Sequence, residues 1–471
     1  MNNILFKHAE PRVIAVTKKL EEWLKGSIFE NKVYYVGGCV RDLILDRPVK
    51  DIDIVVEMEN GGVMLANYIA AKDKSWTTNN PVIFESYGTA KVKLKSDPSF
   101  EGMELECVQT RKEQYHKESR NPDTVYGTVR EDAKRRDLTI NAMYYNITNE
   151  MVYDFNGTGL EDLSNMVLRT PCDPDITFND DPLRILRVIR FSSRLGWDIS
   201  KDTWLGMVKN AHRISIISQE RITDEITKIL QTKKPSVGIR KLLYCGMLHR
   251  IMPDIYDLQY SYESKNPCVT TFDHTMDVLD EIIDTSIEHR LAALFHDIGR
   301  SMAEEDKTMS PYQFSADIAM ADIRKMKYPN AVAETVASAI RHHEWFSSYK
   351  DGTIPPDNKI RKLINSCGSN VNLTTTLDLM NANNLCRAYN KKKIQVLDIM
   401  RRIEDLDQID EMTDVKLPVN GNDLIKELGI KSGPNIGIIL NELKEEYFDN
   451  PEITREECLQ RAREIIMSLA V

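Results

Sequence analysis

The sequence predicts an α+β chain: a small mixed sheet with helices against it over roughly the first 150 residues, then a long all-α body. Three observations carry this. Short segments between Lys32 and Thr110 alternate polar and apolar residues or are rich in β-branched and aromatic ones. From Pro182 onward, apolar residues recur at three- and four-residue spacing in almost every window. The breaks between those windows are short, near Pro235, Pro267, Pro311, Pro355 and the Leu417–Gly421 turn, with no repeat and no low-complexity tract.

Taken in order, Pro11–Lys25 has helical apolar spacing after a helix-initiating proline. Lys32–Val36 is β-rich and ends in Gly37-Gly38, and Val40–Leu45 reads as a short helix. Asp51–Glu57, Tyr87–Leu94 and Met103–Thr110 alternate as strands. The run DDPLRILRVIRFSSRLGW opens a helix with carboxylates and a first-turn proline and closes it at Gly196. In ISQERITDEITKIL, Ser218 is placed as an N-cap.

Composition narrows the function classes. With 471 residues, two to four folded units are expected at roughly 100–200 residues each. Charged residues at 28% and hydrophobic ones at 42% mark a globular rather than a disordered chain. No apolar run approaches the ~18 residues that cross a bilayer, so no membrane role is expected. The N-terminus carries a lysine, a histidine and a glutamate where a signal peptide needs an apolar stretch, so the expected compartment is the cytoplasm. Eight cysteines stand singly, without a C-x-x-C pair, against both a disulfide framework and a cysteine zinc site. A net charge of −10 argues against blanket binding of nucleic acid and leaves room for a local basic groove.

The most informative segment is VGGCVRDLILDRPVKDIDIVVE. Gly37-Gly38, ending a strand and opening a helix, lets backbone N–H groups approach a phosphate, with Arg41 one turn further on. Most such pairs only turn the chain. Asp51 and Asp53, however, follow on the next strand at i and i+2 and therefore point to one face. Two parallel carboxylates repel unless a cation lies between them, and hard oxygen donors select Mg²⁺. Glu104 and Glu106 alternate likewise on a later strand, and Glu106 is the candidate third carboxylate.

GG-x-VRD followed by D-I-D resembles the nucleotidyltransferase head of the polymerase β superfamily and, more narrowly, class II CCA-adding tRNA nucleotidyltransferases and bacterial poly(A) polymerases. The likeness continues in order through TRKEQYHKESRNPDTVYG, EDAKRRDLTINAMYYN, YDFNGTGLEDL, DDPLRILRVIRF and SQERITDEI. It implies template-independent transfer of CMP and AMP from CTP and ATP to the tRNA 3′ end, with Asp51 and Asp53 holding Mg²⁺. It implies four parts: a head at 1–170, a base-recognising and RNA-binding helical neck at 171–262, an HD-like helical domain at 263–400 and a tRNA-binding helical tail at 401–471. The neighbouring readings are a poly(A) polymerase or an A-adding enzyme, and then an HD-type metal-dependent phosphohydrolase. Against polyadenylation, SYGTAKVKL lacks the basic-rich stretch associated with those relatives. Oligomeric state is not addressed by these motifs.

Residue by residue, the resemblance gives Arg135, Arg136 and Asp137 to the ribose and phosphates, with Asn141 at the sugar. Arg184, Arg187, Arg190 and Arg194 share one helix face, with Leu186, Val188 and Ile189 opposite. In isolation that face reads as a wet basic stripe. In context, Asp181 accepts from an exocyclic amino group while Arg184 donates to a ring nitrogen. Cytosine and adenine offer that pair and uracil and guanine its inverse. Arg187 and Arg190 fall nearer phosphate or neighbouring loops. Asp180 stands where many relatives have glutamate. Arg111 through Arg120 matches a loop that relatives use to shift from C to A addition, and its polar composition suits a mobile loop. Arg221 and Glu225 form an i, i+4 pair on a bracing helix.

FDHTMDVLD, LFHDIGR and IRHHEW resemble the HD phosphohydrolase pattern through His274, His296-Asp297, His342 and His343. Asp317 stands where a histidine is often found, and Asn383 where the closing aspartate is expected. A helical scaffold retaining remnants of the motif is therefore favoured over a working metal site. The run from Arg387 through Lys391, Lys392 and Lys393 to Arg401 and Arg402 is a candidate phosphate-contacting surface.

Overall fold

The computed structural model describes residues 9–469, save 50, 74–75, 78–79, 85–87, 96–102, 117–118, 264–265, 301, 303–307, 350–352, 387–395, 414–416, 431–432 and 451. The chain divides into two compact units, Met1–Ile229 with Val237–Ile251 and Leu230–Ser236 with Met252–Val471.

The first unit is built on a seven-stranded mixed sheet. In chain order its strands are β1 (Val33–Val36), β2 (Ile52–Val56), β3 (Val82–Phe84), β4 (Thr89–Lys93) and β5 (Glu104–Gln109), followed later by Met143–Asn146 and Val152–Asp154. Between Gln109 and Met143 the chain makes a separate antiparallel hairpin, β6 (Arg111–His116) with β7 (Ser119–Tyr126). The remaining two sheet strands are thus β8 and β9, and the spatial order is β3-β4-β5-β2-β1-β8-β9. All pairs are antiparallel except β2 with β5.

Four helices frame the sheet: α1 (Pro11–Leu24), α2 (Gly38–Ile44), α3 (Gly61–Lys72) and α4 (Val129–Lys134). α1 forms because Val13, Val16, Leu20, Trp23 and Leu24 line one buried stripe behind a first-turn proline. Thr17 on that stripe meets the Tyr35 hydroxyl at 2.9 Å. α3 lies very close to the sheet. A Cβ at Gly62 would come within 2.6 Å of the Cys107 carbonyl oxygen, so only glycine fits there. On the other face Tyr34, Val36, Val55 and Tyr144 pack with Val129 and Ala133 of α4. α4 is held at its start by a capping box between Thr128 and Glu131.

The helices that follow are α5 (Gly159–Ser164), α6 (Pro174–Asp180), α7 (Leu183–Leu195), α8 (Lys201–Asn210) and α9 (Gln219–Leu230). α7 ends as its sequence requires, at Gly196 with φ 73°. The chain then runs extended for two residues, and Asp198–Ile199 pairs in parallel with Val167–Leu168, a pairing that helical periodicity gives no hint of.

Among its described residues the second unit is helical apart from Tyr262–Glu263 paired with Asn266–Thr270. Helices Thr271–Glu281, Ile287–Phe295, Pro311–Lys325, Asn330–His342 and Asn370–Cys386 surround its first core. A second core joins Phe346, Ile360, Leu363 and Leu377 to Ile399 and Leu406, and a third joins Val419, Leu424, Ile439, Leu443, Cys458 and Ile465 near the C-terminus. No helix among the described residues is long and apolar enough to cross a membrane.

Candidate active site

β1 is buried at all four positions, so the turn that leaves it is fixed by the sheet. At that turn Gly37 adopts φ 75° and caps α2, a conformation that favours glycine. A Cβ at Gly37 would lie 3.5 Å from Asp53 Oδ2 and 3.7 Å from an Arg136 guanidinium nitrogen. The glycine turn, a carboxylate and an arginine thus converge. Gly38 begins α2, and a Cβ there would press on Arg41 at 3.3 Å.

Strand register supplies the rest of the acidic face. Asp53 is opposite Glu106 in the parallel pair, and Glu106 is opposite Lys91 in the antiparallel one. These three side chains therefore stand side by side, with Lys91 Nζ 3.1 Å from Glu106 Oε2. Asp51 immediately precedes β2. Asp53, Glu106, Thr89, Arg111, Arg135 and Arg136 all line a cavity of about 240 Å³. The Asp53 side chain opens to solvent, yet the surrounding protein strips enough water from it to raise its pKa. Glu106 and Asp51 push the same way, against Arg136 and Lys91. The carboxylate face carries more negative charge than its own cations balance. That excess fits a hard divalent cation held by Asp51, Asp53 and Glu106.

The basic wall is organised by two acids, Asp132 and Glu113. Asp132, fully buried, accepts from Arg135 Nη2 at 2.6 Å, Arg136 Nη2 at 2.9 Å and the Tyr144 hydroxyl at 2.7 Å. Burial alone would raise its pKa, but the two guanidiniums hold it well below the usual carboxylate range. The two arginines are therefore fixed by a buried carboxylate. Glu113 gathers three more bonds, from Arg111 Nε at 3.0 Å, Arg135 Nη1 at 3.0 Å and Arg184 Nη2 at 3.5 Å. Arg111 is accordingly anchored, and Arg111–His116 pairs with Ser119–Tyr126 as a two-stranded ribbon where a loop was expected. Alternate cross-strand pairing, from Arg111↔Tyr126 to Gln114↔Asp123, holds its base. The side chain of Arg120 lies outside the described residues.

A second chain of pairs crosses to α7. Arg41, buried, donates to Asn141 Oδ1 at 2.7 Å, and Asn141 Nδ2 donates to Asp137 Oδ1 at 3.1 Å. Arg187 Nε donates to Asp137 Oδ2 at 2.8 Å, and Arg190 lies 3.1 Å from Glu225. Burial opposes ionisation of Asp137, but Arg187 and Asn141 outweigh it and draw the pKa down to about 2. Arg41, Arg187 and Arg190 all lie over the Phe191 ring, at 5.2, 6.0 and 4.8 Å from its centroid. The wet basic stripe is corrected here: Arg184 is buried, and Arg187 and Arg190 face carboxylates, leaving Arg194 exposed. Glu225 likewise turns to Arg190 of α7, while Arg221 is exposed on α9. Asp181 Oδ1 accepts from the Leu183 N–H at 3.1 Å and so starts α7.

In the second unit His274, His296 and Asp297 each bring one donor atom within 4.8 Å of the others, all buried. His296 Nδ1 and His343 Nδ1 are hydrogen-bonded to the Ala293 and Ile340 carbonyls at 2.8 and 2.7 Å, which turns both Nε2 atoms inward. The two departures from the HD pattern take different forms. Asp317 is half exposed and bonded by Arg341 at 2.8 Å, away from the cluster. Asn383 occupies the closing position, its Oδ1 3.0 Å from His274 Nε2 and its amide donating to Glu344. Asp297 forms an ion pair with Arg300 at 2.8 Å, but its two carboxylate oxygens and the Nε2 atoms of His296 and His343 are buried without a hydrogen-bond partner among the described residues. Of the basic run further on, 387–395 lie outside the described residues, and Arg402 is engaged by Asp357 at 2.6 and 2.8 Å.

Comparison with known proteins agrees with this geometry. Residues 33–169 match the poly A polymerase head domain, 196–258 the RNA and SrmB-binding site of polymerase A, and 312–462 a tRNA nucleotidyltransferase domain 2. The tRNA nucleotidyltransferase cca1 of Schizosaccharomyces pombe is 28% identical, over 91% of this chain and 90% of its own. The multifunctional CCA protein of Paraburkholderia phymatum is 30% identical, over 66% of this chain and 74% of its own. The chain belongs to the CCA-adding tRNA nucleotidyltransferase family. Its fold is also that of the Bacillus stearothermophilus CCA-adding enzyme crystallised with CTP, at TM-score 0.64 and 20% identity over 98% of this chain and 99% of that one. It is a nucleotidyltransferase, of a metal-dependent class.

What sequence reading missed in this nucleotidyltransferase is Glu113, together with the partners that Glu225 takes on another helix. Glu113 and Glu225 hold arginines on other elements, whereas Asp132 holds Arg135 and Arg136 only three and four residues on. The one available signal was that each is an acid within a few residues of a motif arginine.

Proposed function

We propose that this chain adds CMP and AMP, from CTP and ATP, to the 3′ end of tRNA without a nucleic-acid template. The observation that carries the reading is the shared cavity. It sets Asp53 and Glu106 against Arg111, Arg135 and Arg136, an acidic wall facing a basic one. The reaction such a site suits is in-line displacement. The tRNA 3′-oxygen bonds to the α-phosphorus, the bond to pyrophosphate breaks, and the hydroxyl proton leaves.

Asp51, Asp53 and Glu106 would hold Mg²⁺, whose bound charge lowers the pKa of a hydroxyl and neutralises phosphate oxygens. The chain's own residues position the reactants. Arg135 and Arg136, fixed by Asp132, present guanidiniums to the phosphates. Gly37 and Gly38 leave room for the triphosphate beside Asp53. Asp137 and Asn141, tied to Arg41, face the sugar. Asp181 and Arg184 would read the base edge, with Arg187 and Arg190 bracing them through Asp137 and Glu225. Arg184 is suited to this because its bond to Glu113 is long, at 3.5 Å, and a base can take it over. The head at 1–170 then does the chemistry, the neck at 171–262 chooses the base, and the tail at 401–471 binds tRNA. The scattered free cysteines fit a reducing compartment such as the cytoplasm.

The test is incubation with tRNA lacking its 3′ end and each labelled nucleotide in turn. CTP alone should extend it by two residues and CTP with ATP by three, with nothing from UTP or GTP. A long ladder with ATP alone would instead assign polyadenylation.

A further inference from the structure

We propose that Lys91 is a built-in counter-ion of the acidic face, which holds Glu106 in the resting enzyme and competes with the divalent cation for it. The inference rests on Asp51, Asp53 and Glu106 being the cation site.

The argument begins with register. Lys91 and Glu106 are direct cross-strand partners on β4 and β5, and Asp53 is the next position across on β2. The ammonium can therefore reach only this row of acids without leaving its strand face. Its Nζ is 3.1 Å from Glu106 Oε2, and both side chains are about two-fifths exposed, so the pair is open to exchange with solvent ions. Lys91 also feels Glu104 and Asp51, and it acts on Asp53 in turn. Lys91 thus stands opposite Glu106 and next to Asp53, while Lys93 stands opposite Glu104.

The arginines are committed elsewhere. Arg135 and Arg136 are bound to Asp132, and Arg111 to Glu113. Of the cations just named, Lys91 alone is bonded to one of the proposed metal-binding acids. A monovalent cation on Glu106 neutralises part of the charge that would otherwise force the strands apart, and it leaves Asp51 and Asp53 to capture the first divalent ion. Glu106 becomes a full ligand only when Lys91 lets go. Metal loading is then set partly by this lysine, and a nucleotide arriving with its own cation can shift the balance.

The experiment is a Mn²⁺ titration of the nucleotide-free full chain, read by the electron paramagnetic resonance signal of free Mn²⁺, on the natural protein, Lys91→Met, Lys91→Arg and Asp53→Asn. Removing the competing charge should tighten Mn²⁺ binding by up to about fivefold in Lys91→Met, the upper end for an exposed ion pair. Lys91→Arg, which keeps the charge, should stay close to the natural protein. Unchanged or weaker binding in Lys91→Met, with binding still lost in Asp53→Asn, overturns the counter-ion and leaves the cation site standing. A higher KM for CTP in Lys91→Met with unaltered Mn²⁺ affinity also overturns it and makes Lys91 a phosphate contact. Mn²⁺ binding indifferent to Asp53→Asn overturns the cation site and the inference with it.

Discussion

In the first unit, Asp51, Asp53, Glu104 and Glu106 crowd one sheet face around Lys91, and Asp53 opens on a cavity whose far wall is arginine. In the second, donor atoms of His274, His296 and Asp297 lie within 4.8 Å of one another, but they are buried, Asp297 forms an ion pair with Arg300, and Asn383 fills the closing position. Both clusters hold residue types that bind metals. They differ in charge balance and access. The sheet face keeps a surplus of negative charge where a nucleotide can arrive, whereas the helical cluster sits away from solvent, its Asp297 paired with Arg300 while both Asp297 oxygens and the Nε2 atoms of His296 and His343 make no hydrogen bond among the described residues. Ligand-type residues at ligand-like spacing therefore do not by themselves make a site. An uncompensated charge beside an open cavity is what separates the two.

The largest effect that should expose this contrast comes from single alanines. Asp53→Ala should cost about 10³-fold or more in nucleotide addition, measured at single turnover, with little change in melting temperature, because the side chain is open to solvent. His296→Ala should do the reverse. It should leave the addition rate nearly unchanged and cost about 1–3 kcal/mol of stability, since its imidazole is buried and bonded to Ala293. Equal losses of rate in the two variants would erase the distinction.

An intermediate effect concerns base choice. Arg184→Ala should lower discrimination against UTP and GTP by about one to two decades and weaken CTP and ATP incorporation, since a charged hydrogen bond is worth on the order of 1.5–3 kcal/mol. Arg194→Ala, exposed beyond the paired arginines, should leave base choice alone. A misincorporation assay with all four nucleotides decides it. Equal slowing of all four by Arg184→Ala would make that residue a phosphate or structural contact.

How much of this was legible follows from how far apart the partners are in sequence. The glycine turn and the Asp51–Asp53 pair were readable because strand alternation fixes their geometry within a few residues. The α7 stripe was readable as a helix, but not as a paired one: Asp137, Glu225 and Glu113 come from 38 to 71 positions away, as the Arg187–Asp137, Arg187–Glu225 and Arg184–Glu113 contacts show. The β6–β7 ribbon was hidden for another reason. Its residues are nearly all polar, so no apolar alternation marked it as strand, and cross-strand pairing rather than burial defines it. Phe191 was not singled out, although three guanidiniums surround it. In the second unit the Asn383 and Asp317 departures were visible, but only the structure separates an amide that fills the cluster from a carboxylate that has left it.

The smallest effects are in pH dependence, and they fall in separate windows. Asp137 has a depressed folded pKa, so its contribution is complete above the unfolded value near ~3.9 and is lost as pH falls toward about 2. That amounts to about 2 kcal/mol in the first unit. Asp137→Asn should remove this limb. His343 is held neutral by burial, its pKa lowered to about 4, so the second unit should lose stability as pH falls from ~6.5 toward that value. Denaturant melts between pH 7 and 2, followed by hydrogen exchange to report each unit separately, should show the second unit weakening first. Loss of the first unit ahead of the second would contradict this assignment.

The most direct test of the contrast is where a divalent cation binds. Mn²⁺ titration followed by its paramagnetic signal should find binding in the natural protein that disappears in Asp53→Asn and persists unchanged in His296→Ala. The same His296→Ala variant should match the natural protein in showing no Ni²⁺- or Mn²⁺-stimulated hydrolysis of 2′,3′-cyclic phosphates. Binding that survives Asp53→Asn and is lost in His296→Ala would place the metal in the buried helical cluster and reverse the roles of the two regions.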